Sequence, residues 1–311
     1  MKENGKENIM TTKAGFVTIL GAPNAGKSTL MNTLMGEKLS ITTSKPQTTR
    51  KRVLGILSEE NYQIIFLDTP GILEPKYKLQ EKMMEYVNLS LQDADVIVWL
   101  HDAHAPLWEK EESAVGQVYR LAKKMEVPKI ACINKIDIDE KKTVESIEFF
   151  EESKKFDKVL PISALANVNL NQLKDFIIAN LPEHPKYYPD DDLSDETERF
   201  FVSEIIREHI FELYEKEIPY SCEVAIEEFK EREGRKDFIY AMIYVERDSQ
   251  AGIIIGKKGA MIKKLGENSR AAIESFLGRE VFLDIRVKVR SNWRSDEKYL
   301  KYFGYARDDE E

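Results

Sequence analysis

No stretch of this 311-residue chain strings together the ~20 apolar residues that a bilayer-crossing helix needs, so any membrane contact is expected to be peripheral. Cysteine is scarce. Cys132 and Cys222 stand far apart, which excludes a disulfide framework or a cysteine knuckle for metal and suits a reducing cytoplasm. Histidine is scarce too, at four residues. "HDAH" (101–104) holds two of them three apart, but no cysteine or third histidine stands nearby to complete the four ligands of a structural zinc. The first residues, "MKENGKENIMTTKAG", lack an apolar core and a cleavage pattern; residues 1–13 read as a polar tail and not as a signal peptide. Also missing is an overall basic surplus: 46 Lys and Arg face 55 Asp and Glu, a net charge of −9, which excludes a general nucleic-acid binder.

What is present is an ordinary globular composition, 42% hydrophobic and 32% charged, in a chain long enough for two domains. The first half alternates short apolar runs (15–21, 62–68, 95–101, 128–134, 158–163) with amphipathic segments such as 28–36, 76–92 and 107–126. Strands separated by helices predict a mostly parallel α/β sheet, covered on both faces. "VLGILS" (53–58) lies so close before 62–68 that the two read as a hairpin, which makes one strand antiparallel. "LPEHPKYYPDDDLSDETE" (181–198) has the proline and acid content of a linker, so the predicted domains are 14–182 and 199–307, joined by 183–198 and ending in an acidic 308–311. The second domain reads as helix (199–216), two alternating segments (220–231, 237–248), a helix–Gly-x-x-Gly–helix unit, a strand (281–289) and a tail helix near 295–303.

"GAPNAGKST" (21–29) fits Gly-x-x-x-x-Gly-Lys-Ser, with a strand running in and a helix running out. Gly21 and Gly26 let the loop of Ala22, Pro23, Asn24, Ala25 and Thr29 curl round phosphate oxygens and turn its N–H groups, which Pro23 lacks, toward them. Lys27 is placed to bridge the β and γ phosphates, and Ser28 to offer a hydroxyl to Mg²⁺. "NKID" follows the 128–134 run. The Asp137 carboxylate accepts from guanine N1–H and the 2-amino group but faces adenine unpaired, which predicts guanine over adenine. Asn134 can reach the other purine edge and brace the loop, Lys135 can cover the ring beside Ile136, and Ser163, Ala164 and Leu165 can supply an amide to guanine O6. "DTPG" offers Asp68 for the metal, with Thr69 and Pro70 leading to Gly71, whose N–H can touch the γ phosphate. In "TSKPQTTRKR" (43–52), Thr49 is the favoured partner for the Mg²⁺ shell. Lys27, Ser28, Thr49 and Gly71 are therefore the candidate catalytic groups. Where Ras-like GTPases carry a Gln, this chain has Ile72, so hydrolysis must be slow or use another group. Asn24 is one candidate, holding K⁺ against the phosphates; the alternative is that Asn24 serves a left-handed backbone.

The set "GAPNAGKST", "TSKPQTTRKR", "DTPGI", "NKID" and "SAL", with "VKVRSNWRSDEKYLKYFGY" (287–305), resembles the Era family of bacterial GTPases over nearly the whole chain. That resemblance implies a P-loop GTPase domain followed by a type II K-homology (KH) domain. It also implies binding of GTP and GDP, of the 3′ end of 16S ribosomal RNA and of the small ribosomal subunit, in a cytoplasmic monomer with partial contact to the inner membrane surface. "GKKG" (256–259) then reads as the KH loop that clamps a single-stranded backbone. Gly256 and Gly259 admit the phosphates, Lys257 and Lys258 neutralise them, and Ile255 floors the groove. Lys263, Lys264, Arg286, Lys288 and Arg290 are further candidate contacts; Trp293, Tyr299, Tyr302 and Phe303 could stack on bases, but most of them are expected to pack the tail helix onto the domain. Arg247 to Arg307 carries 14 basic and 7 acidic residues, a basic module on an acidic chain. Two other readings stand beside this one: an RNA-binding protein with an idle nucleotide domain, and a P-loop kinase, which "NKID" disfavours.

Overall fold

The short Val-, Ile- and Leu-rich runs of the first half pair side by side in the computed structural model, which describes residues 12–107 and 113–305. Its elements are β1 (Lys13–Gly21), α1 (Lys27–Met35), β2 (Val53–Ser58), β3 (Tyr62–Asp68), α2 (Lys78–Gln92), β4 (Val96–Asp102), α3 (Ala114–Lys124), β5 (Lys129–Asn134), α4 (Glu140–Glu152), β6 (Lys158–Pro161) and α5 (Leu170–Asn180). The sheet order is β2-β3-β1-β4-β5-β6, parallel except for the β2–β3 hairpin. Both faces are covered, by one cluster around Leu30, Phe66 and Leu173 and another around Trp99, Val87 and Phe150. This is the mixed, mostly parallel sheet that the alternating runs predict. The loops leaving the carboxyl ends of β1, β3 and β5 open toward one rim, where open α/β sheets gather their ligands.

Sequence patterning blurs the margins. Residues 1–11, 108–112 and 306–311 lie outside the described residues, so most of the expected tail, the first part of the expected 107–126 helix and the acidic end are among them. The described part of that helix starts at Ala114, where Ser113 Oγ accepts from Gly116 N at 3.1 Å. β1 begins at Lys13, two residues early, because its backbone already pairs with β3, with Lys13 N donating to Asn61 O at 3.1 Å; its Nζ donates to Ile178 O and Ala179 O at the negative end of α5. The segment 181–198 is strapped down: Gln63 Oε1 accepts from Tyr187 N (2.8 Å) and Tyr188 N (3.0 Å), and Ile56 N on the outer edge of β2 donates to Leu193 O (2.9 Å).

The second half comprises α6 (Glu198–Leu213), α7 (Ile218–Ser221), β7 (Glu223–Lys230), β8 (Asp237–Val245), α8 (Asp248–Ile255), α9 (Ala260–Leu277), β9 (Val281–Val289) and α10 (Glu297–Tyr302). The stretch expected as strand from 220 opens as the helical turn α7, started by Pro219. The sheet runs β7-β8-β9, with β8 and β9 parallel, and the odd-numbered residues Ile239, Ile243, Val281 and Ile285 pack against α6, α8 and α9.

One cluster belongs to both halves: Leu79 and Met83 of α2 pack with Tyr244, Trp293, Leu300, Phe303 and Tyr305. Trp293 is fully buried and its indole N–H donates to Ser221 O at 3.0 Å. It is therefore a core residue, as the packing reading expects, and no face is left for the alternative of base stacking. Among the tail aromatics Phe303 and Tyr305 are buried with it, and Tyr302 is exposed. Trp293→Ala is expected to destabilise the second half by about 3–5 kcal/mol, read as a fall in its urea midpoint.

Candidate functional site

The turn between β1 and α1 is built to leave its amides free. Gly26 sits at the start of α1 with φ 99 and no side chain caps the first turn, so the orphan N–H groups point outward with the helix dipole behind them. A Cβ at Gly26 would lie 2.4 Å from Asn134 Nδ2, so only glycine fits that approach. The turn borders a cleft of about 300 Å³, lined by Pro23, Asn24, Gly26, Lys27, Ser28 and Thr29, by the 41–49 loop, and by Gly71 and Lys135. Lys27 is buried on its floor, with Nζ donating to Gly21 O (3.1 Å) and Ala22 O (3.0 Å). Burial pushes its ammonium down to about 8, against a smaller upward pull from Asp68. An anion in the cleft would relieve Lys27.

Three chain segments bring hydroxyl and carboxylate oxygens together beside Lys27. Ser28 Oγ donates to Asp68 Oδ2 at 2.7 Å and lies 2.9 Å from Thr49 Oγ1. Asp68 has no solvent exposure, burial pushes its carboxyl up, and its second oxygen, Oδ1, is buried without a hydrogen-bond partner among the described residues. A buried, half-satisfied carboxylate amid two hydroxyls is a hard-oxygen donor set, and it fits a Mg²⁺ ion. Of the two neighbouring threonines, the structure brings Thr49 to this point. Ile72 is elsewhere: it is buried in the core under β1, with its N–H donating to Gly21 O at 3.2 Å, and cannot face a water. Thr69 Oγ1 is likewise turned inward, onto Ile19 O at 2.8 Å.

The loop after β5 is tied to this turn. Asn134 Nδ2 donates to Ala25 O (2.8 Å) and its Oδ1 accepts from Ala164 N (2.9 Å), so Asn134 braces two loops and both of its polar atoms are engaged within the protein. Ala164 N–H is thereby taken, which leaves the Leu165 amide for an incoming base. Leu165 itself is 83% exposed, an apolar side chain with nothing over it. Asp137 is exposed and accepts no hydrogen bond among the described residues. Lys135, at φ 69, reaches Asp102 Oδ2 at 2.7 Å. Sequence reading missed Asp102. The available signal was its place at the end of β4, in register with Asn134. The remaining carboxylate oxygen of Asp102 binds His104 N at 2.9 Å, so the "HDAH" residues act as a support for Lys135.

The basic residues of the second half divide into two surfaces. Ile255, Gly256, Lys257, Lys258, Gly259, Lys263 and Lys264 cluster where α8 turns into α9. Gly256 has φ 72, and a Cβ there would lie 2.6 Å from Met261 Cγ. Lys257 and Lys258 project into solvent with no ion pair among the described residues, whereas Lys263 lies 3.8 Å from Glu267. Ile254 is buried while Ile253 and Ile255 remain 49% and 40% exposed, an apolar floor beside the turn. Arg286 and Lys288 project from the opposite face of the sheet, because the odd residues of β9 are the ones packed under the helices. There Arg286 stacks over Tyr240 (5.2 Å), and Arg290, just past the strand, over Tyr299 (5.9 Å). The ten candidate contacts thus do not line one groove.

Residues 16–135 match the family of 50S ribosome-binding GTPases, and residues 217–294 match the KH domain. The chain is 44% identical over 302 residues to the GTPase Era of Thermoanaerobacter sp. (strain X514), covering 96% of this chain and 98% of that protein. It is also 44% identical to the chloroplastic GTPase ERA1 of Zea mays, covering 98% of this chain and 73% of that one. Two solved structures superpose with a TM-score of 0.89 at 40% identity, over 95% of this chain and the whole of theirs. One is an Aquifex aeolicus Era variant bound to GDP·AlF4−, and the other is Era with MgGDPNP and nucleotides 1506–1542 of 16S ribosomal RNA. If Asp137 reads the base, Asp137→Asn should weaken GTP binding at least a hundredfold and favour xanthosine triphosphate, whose 2-oxo group accepts where guanine donates; competition against a fluorescent guanine nucleotide measures both.

Proposed function

The chain belongs to the Era family of GTPases and hydrolyses GTP to GDP and phosphate, and we propose that it does so as a Mg²⁺-dependent switch on ribosomal RNA. In this reading it grips the 3′ end of 16S ribosomal RNA and assists maturation of the small ribosomal subunit, as its likeness to an Era–RNA complex supports. The observation that carries the nucleotide half is the meeting of Ser28, Thr49 and Asp68 within hydrogen-bond distance beside a buried Lys27.

Ser28, Thr49 and Asp68 would hold the metal, which screens the phosphate charge when bound. The free amides of the Gly21–Thr29 turn bind and orient the phosphates. Lys27 exchanges its two carbonyl partners for phosphate oxygens, whose negative charge favours its ammonium form. Asp137 and the Leu165 amide read the base, and Gly71 closes the cleft on the γ-phosphate side. With Ile72 buried, the attacking water lacks the amide side chain that Ras-like enzymes provide. Asn24 supports a role in charge compensation: its Nδ2 donates to Ser44 O at 3.3 Å, which leaves the amide oxygen free among the described residues. Its φ of 64 also agrees with a purely conformational role. If Asn24 holds K⁺, phosphate release under single-turnover conditions should run at least tenfold faster in K⁺ than in Na⁺, and Asn24→Ala should erase the difference. Equal rates in the two salts discard the cation.

For the RNA half, the exposed, unpaired Lys257 and Lys258 beside the apolar Ile253 and Ile255 fit a single strand whose phosphates face the turn and whose bases lie on the floor. None of the described helices is long and apolar enough to cross a membrane. A cytoplasmic monomer with peripheral contact to the inner membrane face belongs to the same proposal. The deciding experiment measures binding of the 3′-terminal 16S segment in the GTP-locked and GDP states across salt. Lys257→Ala with Lys258→Ala should reduce the slope of log affinity against log salt by about 1.4, two phosphates at ~0.7 each. An unchanged slope rejects the clamp.

A further inference from the structure

Thr49 lies on the long loop, residues 36–52, that joins α1 to β2, and the second domain supplies much of what holds this loop. Glu208 of α6 accepts from Lys38 Nζ (2.5 Å) and Thr42 N (3.2 Å). Lys45 Nζ caps the end of α6 at Phe211 O and Tyr214 O, the carbonyls that a helix terminus leaves unpaired. Thr49 itself is bracketed. On one side Thr48 O accepts from Arg207 Nη2 at 2.5 Å. On the other, the buried Arg50 guanidinium donates to Pro219 O (3.0 Å), Cys222 O (2.6 Å) and Glu223 Oε2 (2.8 Å). Tyr305 O–H donates to that same Glu223 oxygen at 2.8 Å.

We propose that Arg207 of the second domain is a positioning residue for GTP hydrolysis: by holding the Thr48 carbonyl it sets where the Thr49 hydroxyl stands beside Ser28 and Asp68. Arg207 is 1% exposed and is aimed by Glu204, which accepts from its Nε at 2.8 Å and its Nη2 at 2.6 Å. One planar guanidinium therefore joins an α6 carboxylate to a backbone carbonyl of the nucleotide loop, a geometry that a flexible ammonium reproduces only in part. With Thr48 and Arg50 both anchored, at most about 7 Å of extended chain separates the two fixed points, and the hydroxyl between them has little freedom. The nucleotide cleft is then complete only when the second domain is docked. This inference rests on the reading of Thr49 as a metal ligand.

The test uses the full chain as wild type, Arg207→Ala, Arg207→Lys and Arg207→Gln, the last keeping one donor for Thr48 without the charge. Arg207→Ala should leave GDP affinity within twofold, because the base and phosphate loops do not touch it. It should raise by about tenfold the Mg²⁺ concentration that gives half of the tightening of a non-hydrolysable GTP analogue. Amide exchange at residues 48–51 should rise by at least tenfold, and the single-turnover rate should fall by about tenfold. Arg207→Lys and Arg207→Gln should recover part of each loss, and they carry the experiment should the alanine variant not fold. Unchanged Mg²⁺ dependence and exchange overturn the proposal. So does a lost rate that neither substitution recovers, or one that falls in step with GDP affinity and melting temperature. A wild-type chain whose nucleotide binding ignores Mg²⁺ would instead reject the assignment of Thr49 to the metal.

Discussion

Asp68 is a carboxylate with no path to water, and the nucleotide cleft is arranged around that fact. One of its oxygens is satisfied by Ser28 and the other by nothing among the described residues, so burial raises its proton affinity and leaves an unmet demand for positive charge. Lys27 has the complementary difficulty, an ammonium driven down to about 8 by the same dry surroundings. Each group is costly while the cleft holds neither phosphate nor cation, and each becomes favourable when both arrive together. The β1–α1 turn, the end of β3 and the 36–52 loop all converge on this point because no single segment can supply a cradle of amides, a carboxylate and two hydroxyls at once.

The two domains meet through contacts of two kinds. The cluster of Leu79, Met83, Tyr244, Trp293 and Phe303 buries apolar area and supplies non-directional stabilisation. The Arg50–Glu223 pair, and Arg207 held by Glu204 of its own helix, place buried charges at the contact, and their desolvation offsets much of their attraction. Such pairs add little to stability but admit only one arrangement, and both end on the residues flanking Thr49. Apolar packing holds the halves together, and the arginines set the register.

Some of this was legible in the chain and some was not. The cradle and "NKID" are local motifs whose spacing alone states what the backbone must do, and the hairpin of β2 and β3 follows from the short gap between two apolar runs. α4 was not singled out because its apolar stripe is weak beside its charges. Trp293 stayed open between two readings because an aromatic near basic residues reads alike whether it faces a base or a core, and its burial decides for the core. For Arg286 and Lys288, alternation along β9 identifies two faces but does not say on which side the Gly-x-x-Gly turn lies. Asp102 hid in a histidine motif that had been weighed only for metal.

By itself, then, the amino-acid order determined the local chemistry: which amides are uncapped, which strand ends in a carboxylate, which turn must be glycine. Those are properties of a few consecutive residues and their φ and ψ. Only the tertiary structure decided that Asn134 spends both polar atoms on bracing two loops, that the basic residues fall on two surfaces, and that Thr49 is pinned by a helix more than 150 residues away. Contacts between segments that distant depend on how apolar faces pack, and packing is a property of the whole chain that no short window contains.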